Sequence, residues 1–301
     1  HFFPNVSSEK FKVHDSLGNI VEVEVLLHED KLYCQSSDIL GRPLITNKGD
    51  KYRMVRNSRG LGELINSVKK KGFSELIIAC GGSLVTDAGL GLYNALANEN
   101  FSLNESQCLK FTNFSKDFGL DVSVIYDTDI SFFGDYGQCM VFGEQKGFSK
   151  EESLNLDKKY KKIANDLNKF TDTTPQVVGG GASGGTAGML HCVLGANLIS
   201  GISFCMNVLG LKKKIDNAEI LIASEGKFDT TSLAKGFGEL RKISKNEGKK
   251  FGALVGIATQ NADFHLISFF DKTQSTISEE ILKNKIHSSS DFIINFLKGI
   301  K

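Results

Sequence analysis

The sequence predicts an α/β protein with a largely parallel sheet and an antiparallel part at its front. Apolar runs at 74–80 and 122–126 are typical of buried parallel strands, and strands alternate with helical patterns along the chain. Residues 20–25 instead alternate between apolar and charged side chains, which is typical of a half-buried strand. The length of 301 residues indicates two domains, at about 150 residues per domain.

The predicted elements follow one another with turn residues between them. We expect strands at 11–14, 20–25, 32–34, 74–80, 122–126, 218–223 and 251–258. We expect helices at 58–71, after the turn at 81–83 through 96, at 150–170 and at 240–248, and a helical tail from 278 onward. Residues 98–119 are weakly patterned and are expected to form a loop.

One uncharged stretch, residues 189–211, is long enough to span a bilayer. However, Asn197, Ser200, Ser203 and Asn207 recur at steps of three or four residues and would form a polar stripe on one helix face. The sequence therefore favours two shorter helices buried in a soluble protein, with a break after Ser200, over a membrane span.

The composition excludes several classes of function. With 36 basic and 35 acidic residues the net charge is +1, which argues against a nucleic-acid binder or a polybasic membrane binder. The six cysteines show no C-x-x-C spacing and are expected to be free thiols in a reducing compartment, which indicates the cytoplasm. The six histidines show no H-x-x-H spacing, so a zinc site is not expected.

A first glycine-rich turn, at 81–87, connects a predicted strand to a predicted helix. Gly81 and Gly82 allow close backbone approach, and Ser83 and Thr86 add hydroxyl donors. Backbone N–H groups at the start of a helix bind anions, most often phosphate. The turn matches neither the P-loop nor the dinucleotide-binding pattern, and a tight connection without a ligand remains an alternative.

A second glycine-rich turn, at 179–185, precedes the uncharged stretch. Ser183, Gly184 and Gly185 are its candidate phosphate-binding residues. Two such turns in one chain favour a phosphate site over two unrelated tight connections.

Carboxylates follow two predicted strands, and ligands of α/β sheets bind beyond the carboxyl ends of strands. Asp127 and Asp129 follow one strand, and Glu225 and Asp229 follow another. Such carboxylates can hold Mg²⁺ or act as a general base, although turn and capping roles remain open. Together with the glycine turns they favour phosphoryl transfer over hydride transfer.

Two lysines, Lys146 and Lys227, also lie in predicted turns. Either could neutralise a phosphate, and an exposed surface position is the default expectation for both.

Taken together, these motifs resemble type I glycerate kinases, a bacterial family that phosphorylates D-glycerate with ATP. The similar segments keep the family's order and spacing from about residue 11 to about residue 256. They are S-L-G-N-I-V at 16–21, S-R-G-L-G-E-L-I at 58–65, G-G-S-L-V-T-D-A-G at 81–89, D-T-D at 127–129, F-G-E-Q-K-G at 142–147, G-A-S-G-G at 181–185, L-G-A at 194–196, S-G-I at 200–202 and E-G-K-F-D at 225–229.

The resemblance implies two α/β domains, an inserted mixed-sheet domain at 1–200 with an N-terminal antiparallel hairpin, and a Rossmann-like domain at 201–301. It implies ATP and Mg²⁺ as cofactors, and glycerate and a nucleotide as ligands. It implies no nucleic-acid or membrane partner, and a homodimer is one possible assembly.

The resemblance also places the candidate residues in a kinase reaction. Asp87 or Asp127 is expected to orient or deprotonate the glycerate hydroxyl. Glu225 and Asp229 are expected to hold Mg²⁺ or to hold Lys227, a candidate catalytic cation.

The sequence departs from the family pattern at several positions. Family members begin with a strand ending in P-D-S-F-K, whereas this chain begins near the following hairpin, so we expect the Rossmann-like domain to lack its first strands. Thr86 stands where the family has Asn, 130–131 reads Ile-Ser in place of Asn-Pro, and Lys227 replaces Arg. Lysine keeps the charge of arginine but loses its bidentate fork.

Three hypotheses therefore follow. The first is an ATP-dependent glycerate kinase that produces 2-phosphoglycerate. The second is a catalytically impaired binding protein on a kinase scaffold, and the third is a Rossmann-type oxidoreductase, which would need a clearer dinucleotide fingerprint.

Overall fold

The computed structural model of the chain describes residues 5–41, 52–102, 108–208, 210–229, 232–234 and 236–270. The chain divides into two compact units, His1–Gly201 and Ile202–Lys301. Each unit has its own sheet and its own apolar core. The predicted α/β class is confirmed.

The first unit is built on a mixed six-stranded sheet whose strands lie in chain order. Its strands are β1 Ser7–His14, β2 Ile20–His28, β3 Lys31–Gln35, β4 Glu75–Cys80, β5 Asp121–Tyr126 and β6 Asn197–Ser200. The first three strands pair antiparallel and β3 to β6 pair parallel. The antiparallel front and the parallel remainder are as predicted.

The β1–β2 hairpin follows from its turn residues. The Asp15 carboxylate accepts hydrogen bonds from the backbone N–H groups of Leu17 and Asn19 at 2.8 and 2.9 Å. Gly18 has a φ of 89°, which glycine adopts without a steric penalty. The polar network and the glycine together close a tight turn between the two strands.

Helices cover the sheet of the first unit. They are α1 Ser37–Leu40, α2 Arg59–Lys70, α3 Leu90–Ala97, α4 Gln138–Phe142, α5 Lys150–Thr171 and α6 Thr186–Leu194. The long helix α5 begins with a capping box, in which Ser149 and Glu152 satisfy each other's backbone N–H groups. One face of α2 is fully buried, as its helical spacing predicts.

The predicted pair of buried helices in the uncharged stretch is wrong in two respects: a strand precedes the second helix, and no described residue of that helix is buried. Residues Asn197–Ser200 form β6, which pairs parallel with β5, and the helix α7, Gly201–Val208, begins only after it. Small polar residues such as Asn197 and Ser200 fit a short strand as well as a helix, so pairing with β5 decides between the two. In the part of the chain that the structure describes, no helix is long and apolar enough to cross a membrane.

The second unit contains a parallel sheet in the order β7, β8, β9. Its elements after α7 are α8 Leu211–Asp216, β7 Ile220–Phe228, α9 Gly236–Asn246, β8 Lys250–Ala258 and β9 His265–Phe270. Aromatic rings of Phe228, Phe237, Phe251 and Phe264 pack together in its core. The predicted helical tail from 278 lies outside the described residues.

Strand β7 is longer than predicted. It continues through Phe228, so Glu225 and Lys227 lie inside the strand, where they pair in register with Val255 and Ile257. The charged residues concealed this extension, because only 218–223 is apolar.

Candidate functional site

A cleft opens at the carboxyl ends of the parallel strands of the first unit. It has a volume of about 350 Å³ and is lined by Gln35, Ser37, Ala79, Cys80, Gly81, Gly82, Ile125, Tyr126, Asp127 and Gly201. Three of these, Gln35, Cys80 and Tyr126, are the last residues of β3, β4 and β5. This is the sheet edge where α/β proteins bind ligands.

The first glycine turn, here residues 81–89, forms one wall of the cleft. Gly82 is exposed and has a φ of 64°, a left-handed conformation. The turn is anchored from the outside, because the Leu84 N–H donates to the Leu40 carbonyl at 2.9 Å and Ser83 pairs with Gly41. Its predicted members Gly81, Gly82 and Ser83 thus lie at or next to the cleft, whereas Thr86 is buried.

Asp127 lines the cleft beside this wall. It follows β5 directly and is exposed. A Cβ atom at Gly81 would lie 3.4 Å from its Oδ2 atom, so the carboxylate faces the glycine turn across a short gap. The geometry brings the Asp127 carboxylate next to the backbone of the first glycine turn.

Asp87 is placed differently from Asp127. It is buried, and its Oδ2 atom accepts hydrogen bonds from the Ser58 N–H, the Ser58 hydroxyl and the Gly91 N–H at 2.7, 2.8 and 3.0 Å. Its Oδ1 atom accepts from the Gly89 N–H at 3.2 Å. Burial raises the pKa of Asp87, and these hydrogen bonds act in the opposite direction. Asp87 therefore ties the starts of α2 and α3 together.

The second glycine turn, residues 179–185, packs directly against the first. Ser183 has a φ of 51°, and its hydroxyl lies 3.2 Å from the Ser36 hydroxyl, next to the cleft. A Cβ atom at Gly184 would lie 2.2 Å from the Val85 carbonyl oxygen. The Gly185 N–H donates to the Gly181 carbonyl at 3.2 Å. Close packing thus explains why residues 184 and 185 are glycines, whereas Ser183 is half-buried.

Tyr160 of α5 joins the two turns. Its buried hydroxyl accepts from the Ala88 N–H at 3.0 Å and donates to the Gly184 carbonyl at 2.8 Å. Burial raises the pKa of this phenol well above its ordinary value, so the hydroxyl keeps its proton. One side chain therefore satisfies a backbone donor of one turn and a backbone acceptor of the other.

Lys146 is not the exposed surface lysine that the sequence predicts. It is half-buried, and its ammonium group donates to the Val85 carbonyl of the first glycine turn at 2.7 Å. Burial lowers its pKa to about 8.

Cys80 lies at the end of β4 and lines the cleft as a free thiol. Burial raises its pKa to about 12, against hydrogen bonds from Thr186, Ser36 and Ser183 that lower it. The thiol is therefore protonated and unreactive, and it serves as a small packing group beneath the two turns.

Close packing between the turns makes Gly184→Ala destabilising. We expect a loss of about 2–5 kcal/mol in the free energy of unfolding, from overpacking at about 1–3 kcal/mol and left-handed backbone at about 1–2 kcal/mol. The φ of Gly184 is 69°. Urea unfolding of the two proteins measures the difference.

Gly72→Ala is the matched control, because Gly72 has a φ of 85° and a Cβ atom placed there would meet nothing within 4 Å. This variant places alanine in a left-handed backbone conformation without a steric clash. Equal losses in the two variants would contradict the close packing of the turns.

The remaining predicted residues lie on the second unit. Glu225 is half-buried and Lys227 is exposed, at the end of β7 where the alternation of buried and exposed side chains is interrupted. Lys227 is 62% exposed, and its Nζ atom lies 3.3 Å from the Asp229 carboxylate. Within the described residues, the Glu225 Oε2 atom is buried without a hydrogen-bond donor.

The predicted magnesium ligands are Glu225, which lies inside β7, and Asp229, which follows the last residue of that strand. Across the described part of the chain no group of three or more His, Cys, Asp or Glu side chains could hold a metal. Mg²⁺ in phosphoryl-transfer sites usually takes only one or two carboxylates and completes its shell with water and substrate phosphates. The buried Glu225 oxygen without a donor is an acceptor of the kind that such an ion requires.

Sequence reasoning missed several residues of the cleft and its support. Gln35 and Ser37 flank the end of β3, and the strand-end rule applied to Asp127 would have found them. Tyr160 carries no such signal, because a tyrosine on an amphipathic helix is most simply a core residue. Ser58, the partner of Asp87, lies 29 residues away in sequence and only folding brings the two together.

Similarity to known proteins points in the same direction. The profile of the glycerate kinase family matches residues 4–295. The chain is 31% identical over 225 residues to a glycerate 2-kinase of Escherichia coli K12, covering 70% of this chain and 58% of the relative. It is 26% identical over 190 residues to a glycerate kinase of Neisseria meningitidis serogroup B, covering 59% of this chain and 50% of the relative. The chain thus spans little more than half the length of these relatives.

A crystal structure named for a putative glycerate kinase 2 of Salmonella typhimurium LT2 shares the fold. The TM-score is 0.66 at 22% sequence identity, and the match covers 97% of this chain and 83% of that one.

Proposed function

Because the chain belongs to the glycerate kinase family, we propose that it transfers the γ-phosphoryl group of ATP to the 2-hydroxyl of D-glycerate. The hydroxyl oxygen forms a bond to the γ-phosphorus, the bond from that phosphorus to the bridging oxygen breaks, and ADP leaves. The products are 2-phosphoglycerate, ADP and the proton of the hydroxyl.

The observation that carries this proposal is the cleft at the carboxyl ends of β3, β4 and β5. Its volume of about 350 Å³ suits a small substrate, and Asp127 lies against Gly81 in its wall. The net charge of +1 predicts no strong long-range attraction of anions, so we propose that backbone N–H groups and hydroxyls beside the cleft hold an anionic substrate.

Asp127 is our candidate for the group that orients and deprotonates the glycerate hydroxyl. It is exposed and lines the cleft, whereas Asp87 is buried among its donors Ser58, Gly89 and Gly91. A positioned carboxylate that accepts the hydroxyl proton contributes about 10²–10⁴-fold to a rate. Asp87 then acts by holding the surrounding backbone in place.

The two glycine turns supply the phosphate contacts in this proposal. Gly81, Gly82 and Ser83 lie at or beside the cleft, and Ser183 lies beside Ser36 at its margin. We assign phosphate contacts to these four residues. Thr86, Gly184 and Gly185 are buried, and we assign them the support of the turns.

For the second unit taken by itself, Glu225 and Asp229 are our candidates for holding Mg²⁺, and Lys227 is our candidate for a cation that neutralises phosphate charge. When bound, Mg²⁺ neutralises charge that develops on the phosphate oxygens. Lys227 is kept in place by its ion pair with Asp229 and remains largely exposed. We also propose a cytoplasmic location, where ATP is available and where the six free thiols of the chain would stay reduced.

The experiment is an enolase-coupled assay with D-glycerate, ATP and Mg²⁺, run with and without phosphoglycerate mutase. Enolase consumes only 2-phosphoglycerate, so signal without the mutase supports phosphorylation at the 2-hydroxyl. Signal that requires the mutase would indicate the 3-hydroxyl instead. Nucleotide binding without ADP release would favour the catalytically impaired binding protein.

A further inference from the structure

Lys146 occupies an unusual position for a lysine in a predicted turn. It ends the short 3₁₀ turn Glu144–Lys146 between α4 and α5, yet its side chain reaches back to the first glycine turn. Its ammonium group donates to the Val85 carbonyl at 2.7 Å, across 61 positions of sequence. A hydrogen bond from a charged donor is about twice as strong as one between neutral groups.

The contact reaches the cleft through one residue. The Val85 N–H donates to the Ser83 hydroxyl at 3.3 Å, and the Val85 carbonyl accepts from Lys146. The backbone of Val85 therefore connects Lys146 to Ser83. The Val85 carbonyl also faces Gly184, which leaves this oxygen little room to move. Lys146 therefore holds the segment that sets the orientation of Ser83.

Charged and titratable groups face Lys146 from each element around it. Asp87 lies in the first glycine turn, Cys139 on α4, and Arg56 precedes α2. Asp87 and Cys139 favour the ammonium form, whereas Arg56 opposes it. Tyr160 of α5 interacts with the same Cys139 and Asp87.

We propose that Lys146 is a positioning residue of the phosphoryl-transfer reaction, whose ammonium group fixes Ser83 and the first glycine turn through Val85. This inference rests on the proposed function. It adds a residue that touches neither the cleft nor the reacting atoms.

The electrostatic setting gives the inference a measurable consequence. Burial, the largest influence on Lys146, lowers its pKa to about 8, with Arg56 acting in the same direction. Above that pH the ammonium becomes an amine and the charge-assisted hydrogen bond to Val85 is lost. Turnover should therefore fall on the alkaline side with an apparent pKa near 8.

The test compares kcat/KM from about pH 6 to about pH 10 for the wild type, Lys146→Arg and Lys146→Met. Arginine stays charged across this range, so its alkaline limb should move to higher pH while activity is retained. Methionine removes the donor, so we expect a loss of about 10- to 100-fold with no alkaline limb. Lys158→Met is the control, because Lys158 is exposed on α5.

A second measurement does not depend on activity. The unfolded chain holds the Lys146 proton up to about pH 10.5, whereas the folded chain loses it near pH 8. Between these values the unfolded state binds more protons, so the contribution of Lys146 to stability rises with pH. As the pH rises from about 8 to about 10.5, the unfolding midpoint of the wild type should therefore increase relative to that of Lys146→Met.

The outcomes separate the two proposals. An active wild type whose alkaline limb is unchanged in Lys146→Arg and Lys146→Met would overturn the role of Lys146 alone. A wild type inactive on glycerate would overturn the proposed function, and the inference with it. A midpoint difference that does not change with pH would contradict the buried position of the ammonium group.

Discussion

Asp127→Asn is expected to lower kcat by about 10²–10⁴-fold, because the substitution removes the proton acceptor and keeps the shape of the side chain. The carboxylate lies in the cleft at the end of β5, facing Gly81. The KM for glycerate should change much less than kcat, since the amide can still accept a hydrogen bond from the hydroxyl. The enolase-coupled assay measures both constants.

Asp121→Asn is the matched control for this variant. Asp121 is exposed at the opposite end of the same strand, so the chemical change is identical and only its position differs. It should leave kcat within about twofold, because Asp121 begins β5 and the cleft lies at the other end of that strand. If Asp127→Asn kept turnover within about tenfold of the wild type, Asp127 would not be the general base.

Asp87→Asn is expected to destabilise the protein by about 1–3 kcal/mol, because an amide keeps one oxygen and at least one of the four donors loses its acceptor. The Oδ2 atom accepts three hydrogen bonds, from Ser58 N, Ser58 Oγ and Gly91 N, and Oδ1 accepts one from Gly89 N. If the amide oxygen took the place of Oδ2, the NH₂ group would face the Gly89 N–H, which is itself a donor. A typical total stability is only about 5–15 kcal/mol, so urea unfolding should detect the change readily.

Asp117→Asn provides the comparison at an exposed turn, where we expect a change of no more than about 0.5 kcal/mol. The result also separates two roles for Asp87. An Asp87→Asn protein that unfolds like the wild type but has lost turnover would contradict the support role and would favour Asp87 as the base.

The strands and long helices could be predicted because their side-chain periodicity is regular. The alternation in 20–25 and the amphipathic pattern of α5 are local signals, and both elements formed where expected. Strand β6 was missed because pairing with β5 defines it, and nothing in 197–200 distinguishes a strand from a helix. The extension of β7 through Lys227 was missed because pairing with β8, not apolarity, defines it.

The cleft could be predicted in outline. Residues at the ends of parallel strands meet at one sheet edge, and Asp127 and Gly81 lie against each other there in the folded chain. The contributions of Tyr160 and Lys146 could not be predicted, because both depend on contacts across more than 60 positions of sequence.

The α/β class, the antiparallel front, the glycine turns and the family resemblance all follow from the amino-acid sequence alone. They depend on local periodicity and on motif order, which need no knowledge of distant contacts. Which polar residues reach the cleft and which support it became clear only from the folded chain. Asp87 and Asp127 carry the same carboxylate, but Asp87 is buried among four donors whereas Asp127 is exposed in the cleft. A hydrogen-bonding environment is built by residues far apart in the chain, and so it exists only once the chain has folded.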